Sequence, residues 1–262
     1  MYIDVHTHLA KYDEQLPDAL EEIKKNNILT VSVSMDDFLF EKNLRIAETN
    51  DLIIPSFGIH PWSATRYSYK LGELVDAIDK SAMIGEIGLD FHFIEDAEQY
   101  PHQKKVFEFL LETAKHQNKI INVHSKGAEK EVLEYLKFFG IERAIIHWYS
   151  GPMKYVKKFL DLGCCFSIGV ELLESNYIRK LLFKIPEDRL LTETDNPGGY
   201  EWLKQSQGMP SLIINVVEKI AEIKLISVDE VMNLVQKNFY NLLENDPHID
   251  QSVKNMLSGR LY

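Results

Sequence analysis

Eight short β-rich runs, each separated from the next by a stretch long enough for a crossover helix, constrain this chain more than any other feature. They are YIDVH (2–6), ILTVSVS (28–34), LIIPSFGIH (52–60), AMIGEIGLD (82–90), KIINVHS (119–125), RAIIHWYS (143–150), CCFSIGV (164–170) and RLLTETD (189–195). Between and after them, QLPDALEEIKKNN (15–27), QKKVFEFLLETAKHQ (103–117) and SLIINVVEKIAEI (211–223) carry apolar residues at helical spacing. A last helix is expected over 228–243, opened by Ser227 with Glu230 as a capping box. Strand–helix alternation implies a parallel sheet, and eight units imply a (β/α)8 TIM-type barrel. An open doubly wound sheet is disfavoured, because no G-x-G-x-x-G or Walker loop follows any strand. At 262 residues the chain suits one barrel, read as a single domain over 1–262.

The remaining composition narrows the function. With 29 Lys and Arg against 40 Asp and Glu, the net charge of −11 argues against a broad basic face laid along nucleic acid. It leaves room for a small site where metal ions provide the positive charge. No apolar run approaches the ~20 residues that span a bilayer. The opening MYIDVHTH reads as a strand rather than a secretory leader, so a cytoplasmic location and no membrane partner are expected. Cys164 and Cys165 are adjacent, and neighbours on a strand point to opposite faces. They read as buried strand residues, not as a disulfide or a metal pair.

Active sites of such barrels lie at the C-terminal ends of the strands. Five of the nine histidines fall there: His6 and His8 at strand 1, His60 after strand 3, His124 on strand 5 and His147 on strand 6. Glu86 and Asp90 join them from strand 4, and Glu193 and Asp195 from strand 8. Residues i and i+2 share a strand face, so the H-x-H of residues 6–8 suits convergence on one ion. The set exceeds what one closed site needs. It suits two divalent ions about 3.5–4 Å apart with a bridging carboxylate, and Glu86, central in strand order, is the natural bridge. Mixed nitrogen and oxygen donors favour Zn, Mn, Co or Fe over all-oxygen Mg.

DVHTHL (4–9), GIHP (58–61), IGEIGLD (84–90), NVHSKGA (122–128), IHWYSG (146–151), DRLLTETDNP (188–197) and KNFYNLL (237–243) together resemble the TatD family of metal-dependent deoxyribonucleases, over essentially the whole chain. The resemblance implies one metal held by His6, His8, Glu86 and Asp195, and a second held by Glu86, His124 and His147. It implies that His60 faces the phosphate. The expected cofactors are two divalent ions (Mg, Mn or Zn), and the expected activity is phosphodiester hydrolysis from the 3′ end of DNA, single-stranded or at strand ends. The chain departs from the family at Ala10, at DFHF (90–93), at Lys126, at the Trp148–Tyr149 pair and at Asn196, all expected on the substrate rim.

Roles then follow with their alternatives. Asp195 is expected to bind one ion and orient or deprotonate water, or to be a plain ligand. Glu193 is expected to orient a ligand histidine. Asp90 either does the same or caps the loop after strand 4. His60 binds phosphate or protonates the leaving oxygen, or is fixed by the turn before Pro61. Lys126 and Arg66 are candidate phosphate contacts. Trp62, Trp148 and Tyr149 stack on a base or serve as packing. The rival functions are an amidohydrolase acting on a small amide, lactone or ester, and a catalytically silent metal-binding subunit.

Overall fold

Strands covered by helices outside and packed side chains inside are buried on both faces, and the residues of all eight runs are almost entirely inaccessible to solvent. In the computed structural model, which describes residues 1–259, they form β1 (Tyr2–Thr7), β2 (Ile28–Val33), β3 (Ile53–Phe57), β4 (Met83–Asp90), β5 (Ile121–Lys126), β6 (Ala144–Ile146), β7 (Cys165–Ile168) and β8 (Leu190–Thr192). Every neighbouring pair is parallel, and the strands follow one another in chain order. The expected (β/α)8 barrel is the fold.

The barrel is nearly closed, and its seam lies at the histidine-rich end. Between β8 and β1 the chain substitutes discrete polar contacts for a ladder: Asp195 N–H to His6 O and His8 N–H to Asn196 O, both 2.8 Å. Asp4 Oδ1 accepts the Thr194 N–H (3.0 Å), and its Oδ2 accepts the Thr194 hydroxyl (2.6 Å). The seam thus sets His6 and Asp195 side by side.

In β4 the pairing with β5 shifts between Ile84 and Ile87, and such irregularities re-aim side chains. Here the shift brackets Glu86, preceded by a cis Gly85–Glu86 peptide. Gly58 lies against that peptide so closely that a Cβ would overlap the backbone N and O of Glu86. The hydrophobic cluster running from Met1 through Leu257 joins barrel strands to the surrounding helices. The helix over 228–243 begins as expected, with Ser227 Oγ accepting the Glu230 N–H (3.2 Å) and the Glu230 carboxylate accepting the Ser227 N–H (2.7 Å). Cys164 and Cys165 are buried and unpaired. No helix among the described residues is long and apolar enough to cross a membrane.

Candidate metal centre

Strand ends from around the barrel deliver their polar side chains to one point. The two oxygens of Glu86 face different histidines. Around Oε1 lie His124 Nδ1 (2.9 Å), His147 Nε2 (2.9 Å) and His60 Nε2 (3.2 Å). Beside Oε2 lie His8 Nε2 (3.4 Å) and His6 Nε2 (3.6 Å). Asp195 closes the second side, its Oδ1 3.1 Å from His8 and 3.6 Å from His6. Among the described residues, donor atoms within 4.8 Å of one another form three sets: His6, Glu86 and His147; His6, His8 and Asp195; and His60, Glu86 and His124.

Hydrogen-bond partners fix which nitrogen is free in three of the five rings. Asn122 gives its amide N–H to Val5 O (2.7 Å), so its Oδ1 accepts from His6 Nδ1 (2.8 Å) and leaves the His6 Nε2 lone pair aimed at the cluster. That Nε2 is buried and has no hydrogen-bond partner among the described residues. Asp90 Oδ2 receives His124 Nε2 (3.1 Å), which leaves His124 Nδ1 for Glu86. His60 is the reverse case. Its Nδ1 accepts the Trp62 N–H (3.2 Å), so Nε2 carries the proton and points inward as a donor. His60 is therefore fixed by its turn and also held at the site.

Glu193 and Asp90 complete the outer layer. Glu193 Oε2 lies 3.8 Å from His147 Nδ1 and accepts the Ser167 hydroxyl (2.6 Å), while its Oε1 accepts the Trp148 N–H (2.7 Å). Asp90 does both jobs that the sequence left open. Besides His124, its Oδ2 receives Trp62 Nε1 (2.8 Å), and its Oδ1 receives the N–H groups of His92 (3.0 Å) and Phe93 (2.8 Å).

Burial dominates the proton affinities. It lowers His60 to about 4 and His147 to about 3, and it lowers His8, so these rings are neutral at pH 7. Burial opposes the charge on His6 too, but Glu86, Asp195 and Glu193 outweigh it and raise His6 to about 10. On Glu86, His60 and His147 together with hydrogen bonds from His124 and His147 overcome burial and hold the carboxyl well below its usual range. Glu193 goes the other way, pushed by burial up to about 8.

Five imidazoles crowded on two carboxylates, with His6 Nε2 and His124 Nδ1 turned inward and three buried ring nitrogens (His6 Nε2, His8 Nδ1 and His147 Nδ1) without a hydrogen-bond partner among the described residues, form a poor hydrogen-bonded core and a good cation site. The donor chemistry and the orphaned His6 Nε2 fit divalent metal.

Above the donors opens a cavity of about 520 Å3, whose mouth carries Lys11, Trp62, Phe93, Lys126, Trp148 and Trp202. Lys126 donates to Trp148 O and Ser150 Oγ, both 2.8 Å, and sits 5.8 Å from the Trp148 ring centre. Three expectations are corrected. Tyr149, expected at the substrate rim, is 1 % exposed, packs edge-on against Phe159 and Phe166, and gives its hydroxyl to Pro152 O. Arg66 lies outside the cavity, 4.0 and 3.9 Å from Asp36 and Asp37. Ala10 and Asn196 are buried in packing; the Asn196 amide binds Met209 O and its oxygen accepts the Tyr200 N–H. Asn122, Asp4 and Trp202 were not singled out by sequence, and Phe93 was flagged only within the departing DFHF stretch (90–93). A larger open depression, about 910 Å3, lies at the opposite end of the barrel. Its Arg143 is occupied by Asp246, Asn118 O and Leu242 O.

A strand-end cluster of histidines and carboxylates on a parallel barrel defines a metal-dependent hydrolase. The chain belongs to the TatD related DNase family, whose sequence profile matches residues 3–244. It is 32 % identical over 267 residues to human deoxyribonuclease TATDN3, covering 95 % of this chain and 97 % of that protein. It is 29 % identical to the uncharacterized metal-dependent hydrolase YabD of Bacillus subtilis, over 91 % of this chain and 97 % of that one. Among solved structures, the TatD homolog YjjV of Escherichia coli superposes with a TM-score of 0.84 at 22 % identity, covering 92 % and 97 % of the two chains.

Proposed function

We propose that the chain hydrolyses phosphodiester bonds at the 3′ ends of DNA, using two divalent cations. The observation that carries this reading is the division of Glu86: one oxygen faces His124 and His147, the other faces His6 and His8 beside Asp195. One cation would be held by His6, His8, Asp195 and Glu86, the other by Glu86, His124 and His147. When bound, such a pair polarises phosphoryl oxygens and lowers the pKa of water.

The chain's own groups do the rest. Asp195, with its side chain partly open to the cavity, accepts the proton of the attacking water. His60 presents Nε2–H to a non-bridging phosphate oxygen. Water oxygen bonds to phosphorus as the phosphorus–ester oxygen bond breaks, the departing oxygen takes the proton that Asp195 received from the water, and the released strand is one nucleotide shorter. The donors lie buried on the cavity floor, which favours a strand end over the middle of a duplex. The relatives' deoxyribonuclease names support DNA as the polymer. The buried, unpaired cysteines agree with a reducing, cytoplasmic setting. The amidohydrolase alternative loses support because Glu86 occupies the bridging place and Lys126 is turned to Trp148 and Ser150.

The test is a 5′-labelled single-stranded oligonucleotide incubated with Mg, Mn or Zn. A ladder shortening from the 3′ end, absent with chelator and in Glu86→Ala, is expected. An intact oligonucleotide with a folded, metal-loaded protein would sink the reading.

A further inference from the structure

Large aromatic rings left in solvent forgo the burial that stabilises most of their kind, so a pair flanking a cavity with polar donors on its floor calls for an occupant. Phe93 is 47 % exposed and Trp202 is 66 % exposed, and both line the mouth above the metal donors. They stand on opposite sides. Phe93 follows β4, while Trp202 lies in the short helix Gly198–Lys204 after β8, half a turn round the barrel.

Each ring is braced from behind. Phe93 meets the edge of Trp62 at 6.0 Å, and its own N–H is held by Asp90, the carboxylate that also binds His124 and Trp62 Nε1. Trp202 meets Trp148 edge-on at 6.3 Å, and Trp148 is anchored through Nε1 to Glu171 (2.6 Å) and through its N–H to Glu193. A Cβ at Gly199 would strike the Trp148 ring, so glycine there lets helix and indole close up. Rings that are exposed, yet tied through Asp90 and Glu193 to the groups that orient the metal donors, are positioned to act with the site.

We infer that Phe93 and Trp202 are the base-stacking walls of the substrate cleft, each taking the face of one nucleobase next to the scissile phosphate. This rests on the phosphodiesterase reading above and assigns its recognition to the bases. The polymer partner fits the local chemistry: aromatic faces for bases, with Lys11 and Lys126 at the mouth for phosphates, on a chain whose net charge is −11.

The test compares two oligonucleotides with Mn2+, one carrying ordinary bases and one with its last two 3′ nucleotides abasic. Stacking is worth a factor of about 5 to 160 per base, so the wild type is expected to favour the base-bearing end by at least tenfold in kcat/KM. Phe93→Ala and Trp202→Ala are each expected to shrink that preference, through KM on the base-bearing end, and Trp202→Phe is expected to restore most of it. Equal losses on both substrates, or no loss, overturn the assignment and leave the rings structural or part of a protein interface. If the wild type shortens neither oligonucleotide, the phosphodiesterase reading falls and takes this inference with it.

Discussion

Asp90→Asn changes one oxygen to an amide and almost no volume, yet Asp90 accepts four hydrogen bonds: from His124 and Trp62 on Oδ2, and from the His92 and Phe93 backbone on Oδ1. An asparagine has one acceptor oxygen, so whichever way it turns, its NH2 confronts two donors. Each buried donor left unmatched costs about 1–2 kcal/mol, so a stability loss of about 2–4 kcal/mol is expected. The loss falls also on His124, whose Nε2 proton Asp90 fixes. Removing such an orienting partner costs about ten- to hundredfold in metal affinity, or about 1.4–2.8 kcal/mol. The assay is competition for Zn2+ against a chromogenic chelator, with thermal unfolding in parallel. A folded variant that binds metal within twofold of wild type would refute the claim that Asp90 orients a ligand.

Tyr149→Phe removes only the hydroxyl bond to Pro152 O, so turnover is expected to stay within twofold while Tm falls by about 2–4 °C for a loss near 1 kcal/mol; a tenfold loss of activity would return Tyr149 to the rim. Gly58→Ala forces a methyl into the backbone of Glu86 and is expected to cost about 1–3 kcal/mol and most activity, checked by chemical denaturation and the oligonucleotide assay. His6, where Glu86, Asp195 and Glu193 outweigh burial and raise it to about 10, is protonated at pH 7.5 in the metal-free chain and must release a proton to bare its Nε2 lone pair on loading; burial opposes charge on His124 as well, but Asp90 and Glu86 shift it in the same upward direction. Metal affinity therefore rises with pH, and calorimetry in buffers of different ionisation enthalpy is expected to show net proton release; none at all would contradict these charge states.

The barrel was legible because parallel strands buried on both faces leave runs such as ILTVSV and MIGEIGLD, whose β-branched content and regular spacing need no tertiary information. The donors were legible for a related reason: histidines gathered at strand ends rather than scattered over helices. What lay beyond reach depends on contacts between distant strands. Asn122 is two residues before His124 and looks like any polar strand residue, but its partner is His6, 116 positions away. Asp4 matters through Thr194 across the seam. Trp148 and Tyr149 are neighbours of equal promise, and only the backbone decides between them. β6 ends at Ile146, and Trp148 takes φ 38°, so strand alternation no longer tells which ring faces the cavity. Ala10 and Asn196 were placed on the rim by proximity to ligands, whereas the chain folds them into packing.

The central claim is that Glu86 bridges two cations, and anomalous diffraction from Mn2+-soaked crystals tests it most directly. The account predicts two peaks about 3.5–4 Å apart, one beside Oε2 with His6, His8 and Asp195, the other beside Oε1 with His124 and His147. A single peak at saturating metal, or peaks away from Glu86, would contradict it.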